Sequence, residues 1–562
     1  MPWAGASSAR TMLFGGVTGA VVLLDRMRGF ARLGLRATRA VRDVGVMHPV
    51  RPDRAARLLL PYMRFGPVPA TIGAMAALRF PARTALIDER GALSYRDLER
   101  RAASLATALR DRAGGDRVGV LCRNHRGFVE TVLAASRLGG DVILLNTDFS
   151  AAQLGDVAER EGIGLLVHDE EFGPKVDDSG FCGQRLLAWT DSADTPHGTS
   201  RSGETIDGLM ANTEPEPIAP GQTSRVIVMT SGTTGTPKGA RHDLSISSLL
   251  PAALSHLMRV PVRSGAPIVV APPLFHILGF AYATVGLGMG MPLVLSRRFD
   301  ARETLDTIAA CEAETLVAVP VMLQRILDLA DPPNTPSLRV VVCGGSALHP
   351  HLSDAFMDRF GDVLVNVYGA TETGWATIAT PDDLRNAPGT VGRPSFRITI
   401  KILDEEGREL PAGETGEIYT GGGLRFAGYT GGGGKQVRDG LTSSGDLGHF
   451  DAAGRLFIDG RADDMIVSGG ENVFPGEVES LLGGHPDVAE VSVTGVDDER
   501  FGQRLAAHIV RTPGSRITED DVRAHVREHL ARYKVPRDVR FVEELPRTST
   551  GKVKAKALND DG

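Results

Sequence analysis

Apolar residues recur along this chain at two periods, and the places where each period runs outline the architecture. After Ser94-Tyr95-Arg96-Asp97, a helix-capping signal, Leu98, Ala102, Leu105 and Leu109 fall on one stripe of a helix. Strand-like apolar runs then recur at residues 118–122, 142–145, 165–168, 226–229, 268–271, 340–343 and 363–367, with helical stretches between several of them. Strands that alternate with helices predict an α/β fold with a largely parallel sheet covered on both faces. Beyond residue 395 the pattern changes to short alternating strands at 397–403, 416–419 and 456–459. The last hundred residues predict a compact α+β unit, with strands at 488–493, 505–510 and 539–542 and a helix from Thr518 that places Val522, Val526 and Leu530 on one face. Residues 191–221, rich in Ser, Thr, Pro and Gly, read as a surface loop.

Length and charge narrow the function. A chain of 562 residues exceeds one hydrophobic core, so two or three domains are expected. A formal charge of -7 argues against a nucleic-acid partner. The four cysteines lie far apart without C-x-x-C spacing, which indicates neither a zinc site nor a disulfide framework and fits a reducing cytoplasm. The first sixty residues depart from the acidic balance, with ten arginines, no lysine and three acids. Arg28, Arg32, Arg36 and Arg39 share one helical face, opposite Phe30, Leu33, Ala37, Ala40, Val41 and Val44. Such a helix suits peripheral contact with an anionic membrane through residues 1–70, or a cap on the protein's own body. The apolar run at 12–24 is shorter than the ~20 residues that a membrane span needs.

The strongest chemical signal is Thr230-Ser231-Gly232-Thr233-Thr234-Gly235-Thr236-Pro237-Lys238-Gly239, directly after the strand at 226–229. Gly232, Gly235 and Gly239 can take positive φ and let backbone N–H groups converge, the hydroxyls add donors, and Lys238 adds a cation. Only a polyanion needs all of these. Pro237 before Lys238 and Gly239 after it distinguish the loop from a Walker A sequence.

This decapeptide resembles the phosphate loop of the adenylate-forming enzymes: acyl-CoA synthetases, aryl-CoA ligases, luciferases and peptide-synthetase adenylation domains. The resemblance runs from about residue 81 to 557, with further motifs in the family's order. It implies that His276, in Pro272-Pro273-Leu274-Phe275-His276, borders the carboxylate pocket. It implies that Gly345, Ser346 and Ala347 line the adenine, beside Asn366, Tyr368 and Gly369. By the same resemblance Thr371 contacts the α-phosphate, Glu372 holds magnesium, and Asp446 and Arg461 take the ribose. Where the family often has Arg-Thr before Gly-Asp this chain has Ser443-Ser444, so a basic contact expected there is absent from the motif. Asp463 matches the hinge, Gly470 the loop on the thiol's path, and Lys552, in a glycine turn near the carboxyl end, the lysine of the adenylation step. Gly286, Gly288 and Gly290 suit either an extended acyl chain or close helix packing.

The implied organisation is an Arg-rich extension (1–75), a large AMP-binding domain (76–461) with parallel sheets and a barrel-like subdomain, and a small mobile domain (462–562). The implied reaction uses ATP, Mg2+ and coenzyme A to convert a carboxylic acid, first of all a medium- or long-chain fatty acid, through acyl-AMP to a thioester. An aryl acid, or transfer to a carrier protein, is the alternative. A catalytically silent nucleotide-binding protein is the rival of another class. The expected location is cytoplasmic, with peripheral membrane contact through the extension.

Overall fold

The Ser94 side chain accepts a hydrogen bond from the Asp97 N–H and starts the helix Tyr95–Leu109, whose Leu98, Ala102, Leu105 and Leu109 are all buried, as the stripe requires. In a computed structural model the described residues run from 52 to 560, apart from 111, 113–116, 192–198, 201–202, 231–236, 244–245, 423–424, 463, 469–470, 499–501 and 549–550. The basic helix read at 28–44, the centre of the phosphate loop, Asp463 and Gly470 therefore lie outside the described residues.

Two sheets build the large domain. The first, 7-stranded, runs in the order Arg425–Tyr429, Lys238–Asp243, Val226–Thr230, Val142–Leu144, Arg117–Leu121, Ile163–Asp169, Gln184–Trp189. Its pairs are parallel from Val226–Thr230 to Gln184–Trp189 and antiparallel at the other edge. The second, 14-stranded, pairs Thr84–Asp88, Leu293–Val294, Ile268–Val270, Thr315–Ala318, Val340–Gly344 and Leu364–Ala370 in parallel. Helices cover them through one large apolar cluster and, on the other face of the first sheet, a second that packs Leu154, Val157 and Val176 on Leu121, Ile143 and Ile227. The short strands beyond residue 395 continue this second sheet instead of standing apart. Gly374–Ala379 pairs antiparallel with both Leu364–Ala370 and Thr390–Pro394, and so carries the hydrogen bonding onward to Leu456–Arg461, Leu441–Phe450, Gly416–Gly421 and Thr399–Leu403.

Two helices were not legible in the sequence. Thr205 caps Ile206–Ala211 inside the stretch read as loop; Ile206 and Met210 are buried, and six residues are too few to display a period. Pro69–Arg79 starts with proline at its first turn and buries Ala70, Ala74 and Ala76, with Gly73 lying against Leu133. Two of the three alternating glycines are packing positions, while Gly288 is exposed and an added Cβ there would make only an ordinary contact, with Ile72 at 3.5 Å. A Cβ on Gly286 would stand 2.6 Å from Leu293, and one on Gly290 2.5 Å from Phe80, so neither leaves room for an acyl chain.

The small domain follows the sequence reading closely. Gly502–Arg511 pairs with Val488–Asp498, Ile466–Ser468 and Asp538–Phe541, and Thr518 forms a capping box with Asp521 ahead of the helix Glu519–His529. Val478, Leu482, Val493, Ile509, Val522, Val526 and Val539 form its own core. No helix among the described residues is long and apolar enough to cross a membrane.

Candidate active site

Thr230 ends one strand and Lys238 begins the next, paired across an antiparallel hairpin, so the phosphate loop joins two strands and no helix follows it directly. Ser231, Gly232, Thr233, Thr234 and Gly235 lie outside the described residues. Gly239 does not take a positive φ, contrary to expectation. Its reason is space: an added Cβ would meet Ile227 at 2.6 Å and Thr430 at 2.7 Å. The Lys238 ammonium lies 5.5 Å from the ring centroid of Tyr429, and the Tyr429 hydroxyl donates to Glu372 Oε1 at 2.7 Å. Burial, and then the Glu372 carboxylate, push the Tyr429 phenol well up, so it stays a donor. Tyr429 was not found from sequence because it arrives through the long-range pairing of Arg425–Tyr429 with Lys238–Asp243, which no local pattern announces.

Parallel pairing delivers the nucleotide residues to one sheet edge. Cys343 and Gly344 pair with Asn366 and Val367, so Gly345, Ser346 and Ala347 leave their strand beside Asn366, Tyr368 and Gly369. Gly345 takes φ +87°, which a side chain rarely adopts. Thr371 and Glu372 occupy the turn between Leu364–Ala370 and Gly374–Ala379, and the Thr373 hydroxyl braces it by accepting from the Ala370 N–H at 3.0 Å. Glu372 Oε2 makes no hydrogen bond among the described residues, which suits a hard cation that shares phosphate oxygens with a single carboxylate.

Asp446 pairs in register with Arg461. The Tyr368 hydroxyl donates to one Asp446 oxygen at 2.5 Å, and the Arg461 guanidinium lies 3.4 Å from the other. Burial raises the Asp446 carboxyl above the usual range, with Tyr368, Arg461 and Lys552 opposing it. A cation does stand beside Ser443-Ser444: a Cβ on Gly445 would lie 3.0 Å from Lys435 Nζ, which also donates to the Ser444 carbonyl.

The small domain brings Lys552 to this group. Thr548 and Gly551 close the turn with the bonds Thr548 N–H to Lys552 C=O and Gly551 N–H to Thr548 C=O, both 2.8 Å. Gly551 has φ +78°, and a Cβ there would meet Val321 at 2.5 Å. Lys552 keeps solvent along its surface yet stands over a cleft with protein on most sides. That desolvation, with Arg461 adding to it, lowers its pKa against the pull of Asp446, Glu372 and Asp464. His276 stands at the N-terminal boundary of the helix Ile277–Gly288, without a side-chain capping bond; burial, with the Lys552 cation adding to it, lowers it to about 4, so it is neutral at physiological pH. His276, Glu372, Asp446, Arg461 and Lys552, four of them separated by large stretches of chain, thus share one electrostatic environment.

Beside the Lys552 turn opens a cavity of about 310 Å³ whose walls include Arg123, Arg297, Arg298, Arg325 and Arg547. Glu171 pairs with Arg123 at 2.7 Å, Arg297 at 2.8 Å and Arg298 at 3.0 Å; burial pushes its carboxyl up, but these guanidiniums outweigh that and hold it at about 2. Other acids share the load: Arg297 also meets Asp191 at 2.5 Å, Arg547 meets Glu490 at 2.8 Å, and Asp148 lines the same cavity, so most of these guanidiniums are already paired. The buried trio Cys122, His125 and Asp169 has metal-ligand types but spends them on scaffold: His125 Nε2 pairs with Asp169 at 2.7 Å, and its Nδ1 accepts from the Gly127 N–H.

Comparison with known proteins bears on these groups. Residues 74–430 match the family model described as AMP-binding enzyme, and residues 477–552 match that of the AMP-binding enzyme C-terminal domain. A fatty acid–[acyl-carrier-protein] ligase of Streptomyces coeruleorubidus is 31% identical over 85% of this chain and 93% of its own. A feruloyl-CoA synthase of an Amycolatopsis species is 33% identical over 84% and 94%. The crystallised o-succinylbenzoate CoA synthetase of Bacillus subtilis, in complex with its acyl-adenylate intermediate, superposes with TM-score 0.75 at 28% identity, covering 87% of this chain and 98% of that one.

Proposed function

The chain belongs to the AMP-binding, adenylate-forming enzymes and is an AMP-forming acid–thiol ligase, and from this premise we propose that it joins a compact, aromatic or similarly short carboxylic acid to coenzyme A. The observation that carries the reading is the seating of Lys552 among Glu372, Asp446, Arg461 and His276, the arrangement that the first half-reaction requires. There a carboxylate oxygen attacks the α-phosphorus of ATP and pyrophosphate leaves. Negative charge grows on phosphate oxygens, and Lys238, the loop N–H groups and Lys552 stabilise it by position and charge. No enzyme nucleophile is needed. Glu372 is the residue that would hold Mg2+, which would neutralise phosphate charge when bound. In the second half the thiol displaces AMP, with the small domain turned about Asp463 so that Lys552 withdraws and the Gly470 loop approaches.

The packed Gly286 and Gly290 support a compact acid over a long alkyl chain. The fatty acid is the second reading, favoured by the Streptomyces coeruleorubidus relative. Coenzyme A as the acceptor is supported by the likeness to the feruloyl-CoA synthase and the o-succinylbenzoate CoA synthetase. Pyrophosphate release from a panel of aryl and fatty acids, followed by thioester formation with and without coenzyme A, tests the reading. Turnover of aryl acids with thioester only when coenzyme A is present is expected; release of pyrophosphate from no acid would exclude it.

We further propose loose membrane attachment through residues 1–70. Supporting it, the helix Pro52–Phe65 exposes Leu59, Leu60 and Met63 next to the arginine-rich segment. Each arginine near an anionic surface adds ~1 kcal/mol, so sedimentation with anionic vesicles should fall steeply with salt and be lost on truncation to residue 70. Equal partitioning of full-length and truncated protein would end the idea.

A further inference from the structure

The helix Ile246–Arg259 follows the strand that carries Lys238, and the helix Ile277–Gly288 follows His276. Where they face the strand Gly374–Ala379, three rings meet. His256 stacks on Trp375 with centroids 4.8 Å apart, and Tyr282 lies 5.1 Å from His256 and 5.9 Å from Trp375. His256 is 1% exposed and Tyr282 0%. Yet His256 Nδ1, His256 Nε2 and Tyr282 Oη have no hydrogen-bond partner. The Ser395 hydroxyl in the same seam is also unpaired, although its neighbour Phe396 donates its N–H to Ser255 at 2.9 Å.

Buried polar atoms are almost always paired, because an unpaired one keeps its desolvation cost with nothing to offset it. Packing alone does not explain the choice of residues, since phenylalanine in place of Tyr282 and an apolar side chain in place of His256 would fill the seam without that cost. The atoms therefore point to a group that arrives with a ligand. Burial lowers His256 to about 3, so it is neutral and offers one donor and one acceptor, to which Tyr282 adds a donor. Arg259, on the same helix, gives its guanidinium to the carbonyls of Ile378 at 3.3 Å and Arg393 at 2.6 Å and does not neutralise an anion in the seam. The complement is thus a neutral hydroxyl or carbonyl. Tyr282 stands six residues beyond His276 on one helix, about 9 Å along its axis. Trp375 stands three residues beyond Glu372. Both place the seam within one compact acid's length of the reacting carboxylate.

We propose that His256 and Tyr282 form the far wall of the acyl site and select a carboxylic acid that bears a hydroxyl or carbonyl at the end remote from its carboxylate. This rests on the ligase reading above and deepens it. The test compares pyrophosphate release from matched acids: 4-hydroxy- against 4-methyl-phenylpropenoic acid, and 8-hydroxyoctanoic against nonanoic acid. In the pair that the enzyme accepts, the hydroxylated acid should be favoured by at least ~100-fold in kcat/KM, because a site built to bond a hydroxyl rejects its methyl analogue. Tyr282→Phe and His256→Phe should each reduce that ratio below ~10 through lost rate on the hydroxylated acid. A wild-type ratio near one, with pyrophosphate still released, overturns this inference and leaves the ligase reading standing, and so does a ratio that persists in both variants. No release from any acid overturns both. Melting of the ligand-free Tyr282→Phe protein gives a second readout. It should be unchanged or higher, and a fall of more than about 4 °C would show that the hydroxyl is already bonded without ligand, which also overturns the inference.

Discussion

Lys552→Ala should lose acyl-adenylate formation by a factor of at least ~100, the scale of removing one preorganised donor from a developing oxyanion, while still converting supplied acyl-AMP and coenzyme A to thioester. The separation follows from geometry. Lys552 is borne on a turn of the small domain, and its charge interacts with Glu372, Asp446 and Arg461 of the large one only while that turn is seated. A side chain that serves one orientation is silent in the other. Pyrophosphate release and thioester formation measured separately decide the matter; equal losses in both would mean that the lysine acts in a single fixed site.

Glu372→Gln should be nearly as damaging, and by a different route. The amide keeps the volume of the carboxylate and can still accept from the Tyr429 hydroxyl, so the turn between Leu364–Ala370 and Gly374–Ala379 has no reason to unfold. What goes is one negative charge beside the phosphates. If that charge holds magnesium, adenylation should fall by a factor of ~100 or more and require far higher magnesium, with metal-free melting unchanged. Wild-type turnover of the variant at limiting magnesium would remove Glu372 from the metal's coordination.

The sequence made the parallel strands legible because they are buried on both sides and carry unbroken apolar runs such as Val340-Val341-Val342. It made the nucleotide residues legible because each stands in a short contiguous motif. What it concealed depends on distance along the chain. Tyr429 reaches Glu372 through a strand far from the motif that it completes, and Lys435, although near Gly445 in the chain, reaches it through a loop without a recognisable pattern. Gly286 and Gly290 left two readings open, and only the positions of Leu293 and Phe80, fixed by the tertiary fold, chose between them. Ile206–Ala211 remained hidden because a helix of six residues owes its existence to its partner, the helix Tyr95–Leu109, and not to its own periodicity.

The turn that presents Lys552 rests on Val321 through Gly551, so it is backbone that packs there, while the Lys552 side chain meets the large domain through its charge. Leaving the Val321 contact sacrifices a few dispersion contacts, each worth only ~0.1–0.2 kcal/mol, so what holds the turn in place is chiefly the charge of Lys552 against Asp446 and Glu372. A balance held by charge is one that bound charge can tip. ATP, by placing a polyanion under the Lys552 ammonium, would weight the seated orientation, and departure of pyrophosphate would remove much of that weight. The order of the two half-reactions would then be kept by the charge of whatever occupies the cleft.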